Sequence, residues 1–331
     1  MSSENGSSSS RAQMLAALRE TDRFLLTTHE RPDGDAIGSL AAMQLVLTAL
    51  GKDSLAFVAA DEFPLPYEYR FLRLEGLVTE PPADLCERVL VFLDCGNIDR
   101  TSAHQLKHED HHILNIDHHH DNTRFGTVNW VDGDASCTAE MVWEVMQEFG
   151  IGLTPAIGEA LYVGLVTDTG RFMYDNTGPR AHEMAAALLE GGVDGHGIFR
   201  RLYEGMPQGK LELLARGLTH VERYDGGLLT VTHLTLEDYR ATGADESYSE
   251  GVVDHLRSVE GTAVAALVRD LLTEDPPARK VSLRATDGRV DVSRIARALG
   301  GGGHRRAAGF STDLGFPELV EVLRTELARQ L

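Results

Sequence analysis

Between about Arg11 and Gly192, short apolar runs alternate with stretches of helical periodicity, the pattern a parallel α/β sheet imposes on its chain. Phe24-Leu25-Leu26 reads as one strand, followed after a loop by a helical run over 39–50. Val89-Leu90-Val91-Phe92-Leu93 is nearly continuous and β-rich, as expected of a strand covered on both faces. His112-Ile113-Leu114-Asn115-Ile116 is a third strand, and helices are expected over 138–149, 157–166, 180–190 and 210–220. A second β pattern runs over 228–232, 262–268 and 280–284, with the turn segment 273–277 between the last two. The expected architecture is a parallel-sheet α/β domain over 11–195, a helical linker over 196–227 and a smaller α+β domain over 228–331. The serine-rich residues 1–10 lack the apolar core and basic flank of a signal peptide and predict a disordered lead-in. The apolar run 37–50 is too short to span a bilayer.

Composition narrows the function. A length of 331 residues with 42% hydrophobic positions suits two globular domains. The formal net charge of −20 disfavours non-specific binding to long duplex nucleic acid or to an anionic membrane, since both need a positive surface field. Chemistry on phosphates remains open, provided that cations neutralise the carboxylates locally. Cys86, Cys95 and Cys137 form no CxxC pair, so neither a disulfide framework nor a thiolate zinc site is expected, and a reducing cytoplasm is the better reading.

Seven of the fourteen histidines lie between His104 and His120. For His104, His108 and His111 a polar surface segment is a sufficient account. Elsewhere position matters more than number. His29-Glu30-Arg31-Pro32-Asp33-Gly34-Asp35 follows the first strand, Asp94 the second and Asp117-His118-His119 the third, while Asp168 ends an apolar helix. In open parallel sheets ligands collect at the carboxyl ends of strands near a topological switch point. One Asp after a strand is commonly a cap or turn former. Four apolar elements that all end in Asp or His would gather repelling groups at one sheet edge unless a cation bound there.

These segments, with Ala36-Ile37-Gly38-Ser39 after Asp35 and Thr167-Asp168-Thr169-Gly170, resemble the four ordered motifs of the DHH phosphoesterase family. Gly300-Gly301-Gly302-Gly303-His304-Arg305-Arg306-Ala307-Ala308-Gly309 resembles the signature of the associated DHHA1 domain. The resemblance implies two divalent cations. His29, Asp33 and Asp94 would hold one, and Asp35, Asp94, His118 and Asp168 the other, with Asp94 bridging. Mixed imidazole and oxygen donors without thiolate favour Mn²⁺, with Mg²⁺ and Co²⁺ as alternatives. Asp117 and His119 would complete the catalytic set, the one orienting an imidazole and the other donating to a phosphate oxygen or leaving group. Two cations would activate a water for in-line attack on phosphorus, so no protein nucleophile is required. Gly34 and Gly38 are read as glycines of a loop close to the ions.

From Asp275 to Arg306 eight basic residues stand against three acidic ones, in contrast to the rest of the chain. The glycine run would turn backbone N–H groups towards an anion, with a helix starting at His304. By resemblance, Arg284, Gly301, Gly302, Gly303, His304 and Arg305 would bind substrate and face the metal domain across a cleft. Arg171 and Asn122 are further candidates for substrate contacts, Asn176 a weaker one, and Phe125 or Tyr174 could stack a base. The single-copy layout resembles the oligoribonuclease/pAp phosphatase branch, which implies short single-stranded RNA of two to five nucleotides and 3′-phosphoadenosine 5′-phosphate as substrates. Alternatives are a soluble cyclic-di-AMP phosphodiesterase and a non-catalytic nucleotide-binding regulator; the 300–309 segment argues against a family II pyrophosphatase. A homodimer is the default expectation.

Overall fold

Five short strands pair in parallel to carry the ligand-type residues. The computed structural model describes residues 3–63, 65–72, 74, 76–101, 106, 111–273, 276–286, 288–303 and 305–331. His104, His108 and His304, with Glu274, Asp275 and Asp287, lie outside the described residues. The chain divides into two compact units, 1–204 and 205–331.

The first unit contains α1 (Ser3–Glu20), β1 (Arg23–Thr27), α2 (Gly34–Ala49), β2 (Asp53–Ala56), β3 (Val89–Leu93), β4 (Ile113–Asp117) and β5 (Val128–Val131). It ends with the helices α3 (Thr138–Glu148), α4 (Pro155–Asp168), α5 (Pro179–Glu190) and α6 (Gly195–Tyr203). The strand order is β2-β1-β3-β4-β5, and every pairing is parallel. Alternate residues feed two cores. Leu26, Val91 and Leu114 join α2 and α4 in the larger cluster, whereas Leu25, Leu90 and Phe92 pack with Phe57 on the other face. Burial of both faces explains why β3 reads as an unbroken apolar run. The edge strands β2 and β5 are four residues long and each fully buries only one of them, which is why sequence periodicity passes over them.

Two sequence expectations change here. The segment 3–10 continues α1, where an irregular lead-in was expected; serines are tolerated in the first turns of a helix. Helix α2 begins at Gly34, five residues before the apolar periodicity, because the Asp33 side chain accepts from the backbone N–H groups of Asp35 and Ala36. Gly34 and Gly38 therefore sit inside a helix. A Cβ on Gly38 would lie 2.6 Å from the carbonyl oxygen of Ala160 and 2.9 Å from the nitrogen of Gly164, and one on Gly34 would meet Thr167. These glycines let α2 lie against α4.

The second unit contains α7 (Gln208–Thr219), β6 (Glu222–Tyr224), β7 (Leu229–Leu234), α8 (Leu236–Thr242), α9 (Val252–Arg257), β8 (Val264–Asp270) and β9 (Arg279–Ala285). After these come α10 (Val292–Ala298), β10 (Gly302–Gly303), β11 (Ala307–Thr312) and α11 (Phe316–Ala328). The sheet order is β10-β11-β9-β8-β7-β6, with only β7 and β8 parallel. The stretch expected as a linker is shared out, α6 lying in the first unit and α7 in the second. No helix starts after the glycine run. Gly302 and Gly303 pair with Gly309 and Ala308, and a Cβ on Gly301 would lie 2.2 Å from the Gly309 carbonyl oxygen. The glycines serve close strand pairing instead of opening a helix. Among the described residues no helix is long and apolar enough to cross a membrane.

Gly38→Ala should lower unfolding free energy by about 1–3 kcal/mol, because its methyl meets backbone that must move. Gly152→Ala, facing open space, should stay within about 0.5 kcal/mol of the parent. Urea unfolding of both variants checks the pair.

Candidate metal centre

Strand order 2-1-3-4-5 reverses direction between β1 and β3, and the segments leaving the carboxyl ends of these two strands bring His29 and Asp94 together. Asp94 adopts a left-handed backbone (φ 57°) and is 2% exposed, with its N–H donating to the Ile116 carbonyl at 3.1 Å. Its two carboxylate oxygens face different imidazoles. His29 Nε2 lies 3.5 Å from Oδ2, while His118 Nε2 lies 3.5 Å and His119 Nδ1 3.6 Å from Oδ1.

Helix ends supply the other acids. Asp33 caps α2, and Asp35, two residues further, is buried and bonded to the start of α3. The N-cap position of α3 is Cys137, whose side chain makes no capping bond. Asp35 takes over that task from a distant part of the chain. Its Oδ2 accepts from Thr138 N at 2.7 Å and its Oδ1 from Ala139 N at 2.9 Å, with Ser39 Oγ donating to Oδ1 at 3.1 Å. Asp168, the last residue of α4, accepts from Asn176 Nδ2 at 3.0 Å and lies 3.7 Å from His118 Nε2.

The histidines are anchored in two ways. Nδ1 of His29 bonds the Glu30 carbonyl at 2.7 Å and Nδ1 of His118 the Ala135 carbonyl at 3.4 Å, which turns both Nε2 atoms towards carboxylates. Nδ1 of His119 instead bonds Asp117 Oδ1 at 2.6 Å. Asp117 is fully buried and is itself held by Asn122 Nδ2 at 2.5 Å.

Three overlapping groups could each hold a metal ion, their donor atoms lying within 4.8 Å of one another. They are His29–Asp33–Asp94, Asp35–His118–Asp168 and Asp94–His118–His119. The donor chemistry fits a divalent cation, since oxygen and imidazole donors predominate and the two anchored histidines present Nε2. Electrostatics agree. Burial, with Asp94 and Asp168 nearby, raises the Asp35 carboxyl well above the usual range, and burial with Asp94 and Asp33 does the same to Asp168. Burial would also raise Asp94, but the His29 bond and the charges of His119 and His118 outweigh it and hold that carboxyl far below its ordinary value. Burial alone would lower His119, yet the Asp117 bond and the Asp94 charge push it up to about 10. Asp35 and Asp168 thus favour their protonated forms, and a cation would stabilise their carboxylates in place of those protons.

The structure brings His29, Asp33, Asp35, Asp94, Asp117, His118, His119 and Asp168 to one place. Asn122 is engaged within the centre: its Nδ2 serves Asp117, Asn115 Oδ1 (2.8 Å) and Cys95 O (3.3 Å), and its Oδ1 accepts from Arg124 N. Asn176 is likewise engaged, on Asp168 and on Ser136 O. Arg171 stacks over the Tyr203 ring at 5.1 Å, Phe125 packs edge-on against Phe92, and Tyr174 is 43% exposed beside Gly170. His111 and His112 precede β4, at its opposite end from Asp117. On the second unit, Arg284 on β9 pairs in register with Ala307, and Arg305 donates to the Gly288 carbonyl. Sequence reasoning gave no role to Ser39, whose bond to Asp35 is an i,i+4 contact on α2, and missed Asn115 and Thr138, whose contacts no local spacing announces.

Residues 23–165 match the DHH family, N-terminal domain, and residues 230–330 the DHHA1 domain. The chain belongs to the DHH family of metal-dependent phosphoesterases and is a phosphoric ester hydrolase of that family. It is 36% identical over 310 residues to the bifunctional oligoribonuclease and PAP phosphatase NrnA of Thermus thermophilus, covering 92% of this chain and 90% of the relative. The Bacillus subtilis protein of the same name is 25% identical over 310 residues, covering 91% and 93%. The fold matches an exopolyphosphatase-related protein from Bacteroides fragilis with a TM-score of 0.86 at 24% identity, over 97% of this chain and 96% of that one.

From about pH 4 upward the raised Asp35 and Asp168, and then His119, make the metal-free fold bind more protons than the unfolded chain. Metal-free stability should therefore fall as pH rises from about 5 to 9, while Mn²⁺, competing with those protons, should bind more tightly over the same range. The lowered Asp94 and Asp117 withdraw their contribution only below about pH 4. Thermal midpoints measured in chelator and in Mn²⁺ at stepped pH should diverge as pH rises.

Proposed function

We propose that the chain is a two-cation phosphoesterase that hydrolyses very short oligoribonucleotides to 5′-mononucleotides and 3′-phosphoadenosine 5′-phosphate to AMP. The observation that carries this reading is the shared Asp94, whose two oxygens face the His29 and His118 sides of the centre. It is supported by the oligoribonuclease and PAP phosphatase activities for which the Thermus thermophilus and Bacillus subtilis relatives are named. His29, Asp33 and Asp94 would hold one ion, and Asp35, Asp94, His118 and Asp168 the other, Mn²⁺ being favoured by the donor set. Bound there, a pair of divalent cations supplies Lewis acidity to a water and to the phosphate oxygens.

The chain's own residues do the remaining work. Asp117 fixes the His119 ring and keeps it protonated, so that His119 gives its proton to the leaving oxygen as the P–O bond breaks. Asn122 holds Asp117, which sets the His119 ring indirectly. On the second unit Arg284, Gly301, Gly302, Gly303 and Arg305 would hold the phosphate or sugar that is not cut. Arg171 could extend the contacts to phosphate.

Chelator-stripped protein reloaded with Mn²⁺ should release mononucleotides from a labelled diribonucleotide and phosphate from pAp. Asp94→Asn should reduce both at least about 10³-fold. A panel that includes cyclic-di-AMP ranks the alternatives, and absence of turnover on every member under Mn²⁺, Mg²⁺ and Co²⁺ would overturn the enzymatic reading. Arg284→Ala should raise KM for a trinucleotide by about tenfold or more with Mn²⁺ content unchanged, as steady-state kinetics beside metal analysis would show.

A further inference from the structure

One short segment, the approach to α3, contacts Asp35, Asp94 and His118 directly and reaches Asp168 through Asn176, the four residues that the two-cation reading places around the ion on the His118 side. The Ala135 carbonyl anchors His118, and the Ser136 carbonyl shares Asn176 with Asp168. The N–H groups of Thr138 and Ala139 hold Asp35. Thr138 Oγ1 donates to Asp94 Oδ1 at 3.1 Å. The segment is itself braced, since Ser136 N donates to Glu140 Oε2 at 3.0 Å and Glu140 pairs with Arg180 at 2.6 Å.

The Thr138 hydroxyl differs from an ordinary helix-terminal threonine. Thr138 is completely buried and is not the N-cap residue, and its hydroxyl bonds a carboxylate 44 positions away instead of its own backbone. The terminal torsion of an aspartate is soft, so nothing within Asp94 decides where its two oxygens point. We propose that Thr138 is a positioning residue of the metal centre, its hydroxyl fixing the plane of the Asp94 carboxylate so that one oxygen serves each cation. The inference rests on the two-cation reading above. Loss of the hydroxyl leaves the Asp35 bonds in place, because those come from backbone N–H groups.

The experiment titrates Mn²⁺ into chelator-stripped wild type, Thr138→Ser, Thr138→Val and Thr138→Ala by calorimetry, with electron paramagnetic resonance at two equivalents. Wild type and Thr138→Ser should take up two ions and give an exchange-coupled spectrum. Thr138→Val and Thr138→Ala should bind the second ion about 10–100-fold more weakly, show the six-line spectrum of isolated Mn²⁺ and lose kcat at unchanged KM. The metal-free thermal midpoint shows whether each variant folds, and the alanine variant carries the test if valine does not. Wild-type affinity and coupling in a folded Thr138→Val or Thr138→Ala overturns the proposal, as does failure of serine to restore them. A wild-type protein that takes up fewer than two ions would instead overturn the two-cation reading itself.

Discussion

Burial of several carboxylates around one point is the constraint on which the first unit depends. Taking Asp35, Asp94 and Asp168 out of water costs free energy unless each finds donors or opposite charge. The fold answers with helix ends and imidazoles: α3 gives Asp35 two N–H groups, three histidines surround Asp94, and Asn176 reaches Asp168. Glycine makes the arrangement geometrically possible, because only a helix without side chains at 34 and 38 lets Asp35 and Asp168 approach on neighbouring helices. The same residues therefore terminate helices and build the site, and neither role can be altered alone.

The acids do not share the burden equally. Asp94 is stabilised as an anion by its imidazoles, whereas Asp35 and Asp168 are left favouring protons. An asymmetric centre of this kind is suited to exchange protons for cations without unfolding, since the neutral forms of two acids remain tolerable in the empty state. The His119–Asp117–Asn122 chain stands apart from that exchange. There Nδ1 meets a carboxylate, which pushes His119 up to about 10, whereas Nδ1 of His29 and of His118 meets a backbone carbonyl and leaves Nε2 facing Asp94.

What the sequence discloses depends on range. The β3 run and the acid that follows it are legible because burial on both faces writes itself into consecutive apolar residues. The start of α2 is not, since its first turn carries the polar motif and its start signal, Asp33, is an aspartate that also reads as a loop residue. The backbone after the glycine run is illegible for a related reason: four glycines permit a helix start and a tight strand pair equally, and only the partner strand at Gly309 decides. Asn122 looked outward because polar residues after a DHH triplet suggest ligand contacts, yet its partners, at positions 95, 115 and 117, lie mostly on neighbouring strand ends. Thr138 was invisible, as its partners are 44 and 103 positions distant.

The order of the ligand-type residues along the chain, first His29 and last Asp168 with Asn176 just beyond, has a bearing on how the protein is made. A ribosome delivers the N-terminal strands long before α4, so a nascent chain presents acids and histidines without the last of them. Until residue 176 has emerged the centre is incomplete, so the acids of the first unit gather only when most of that unit, which ends at residue 204, has been made.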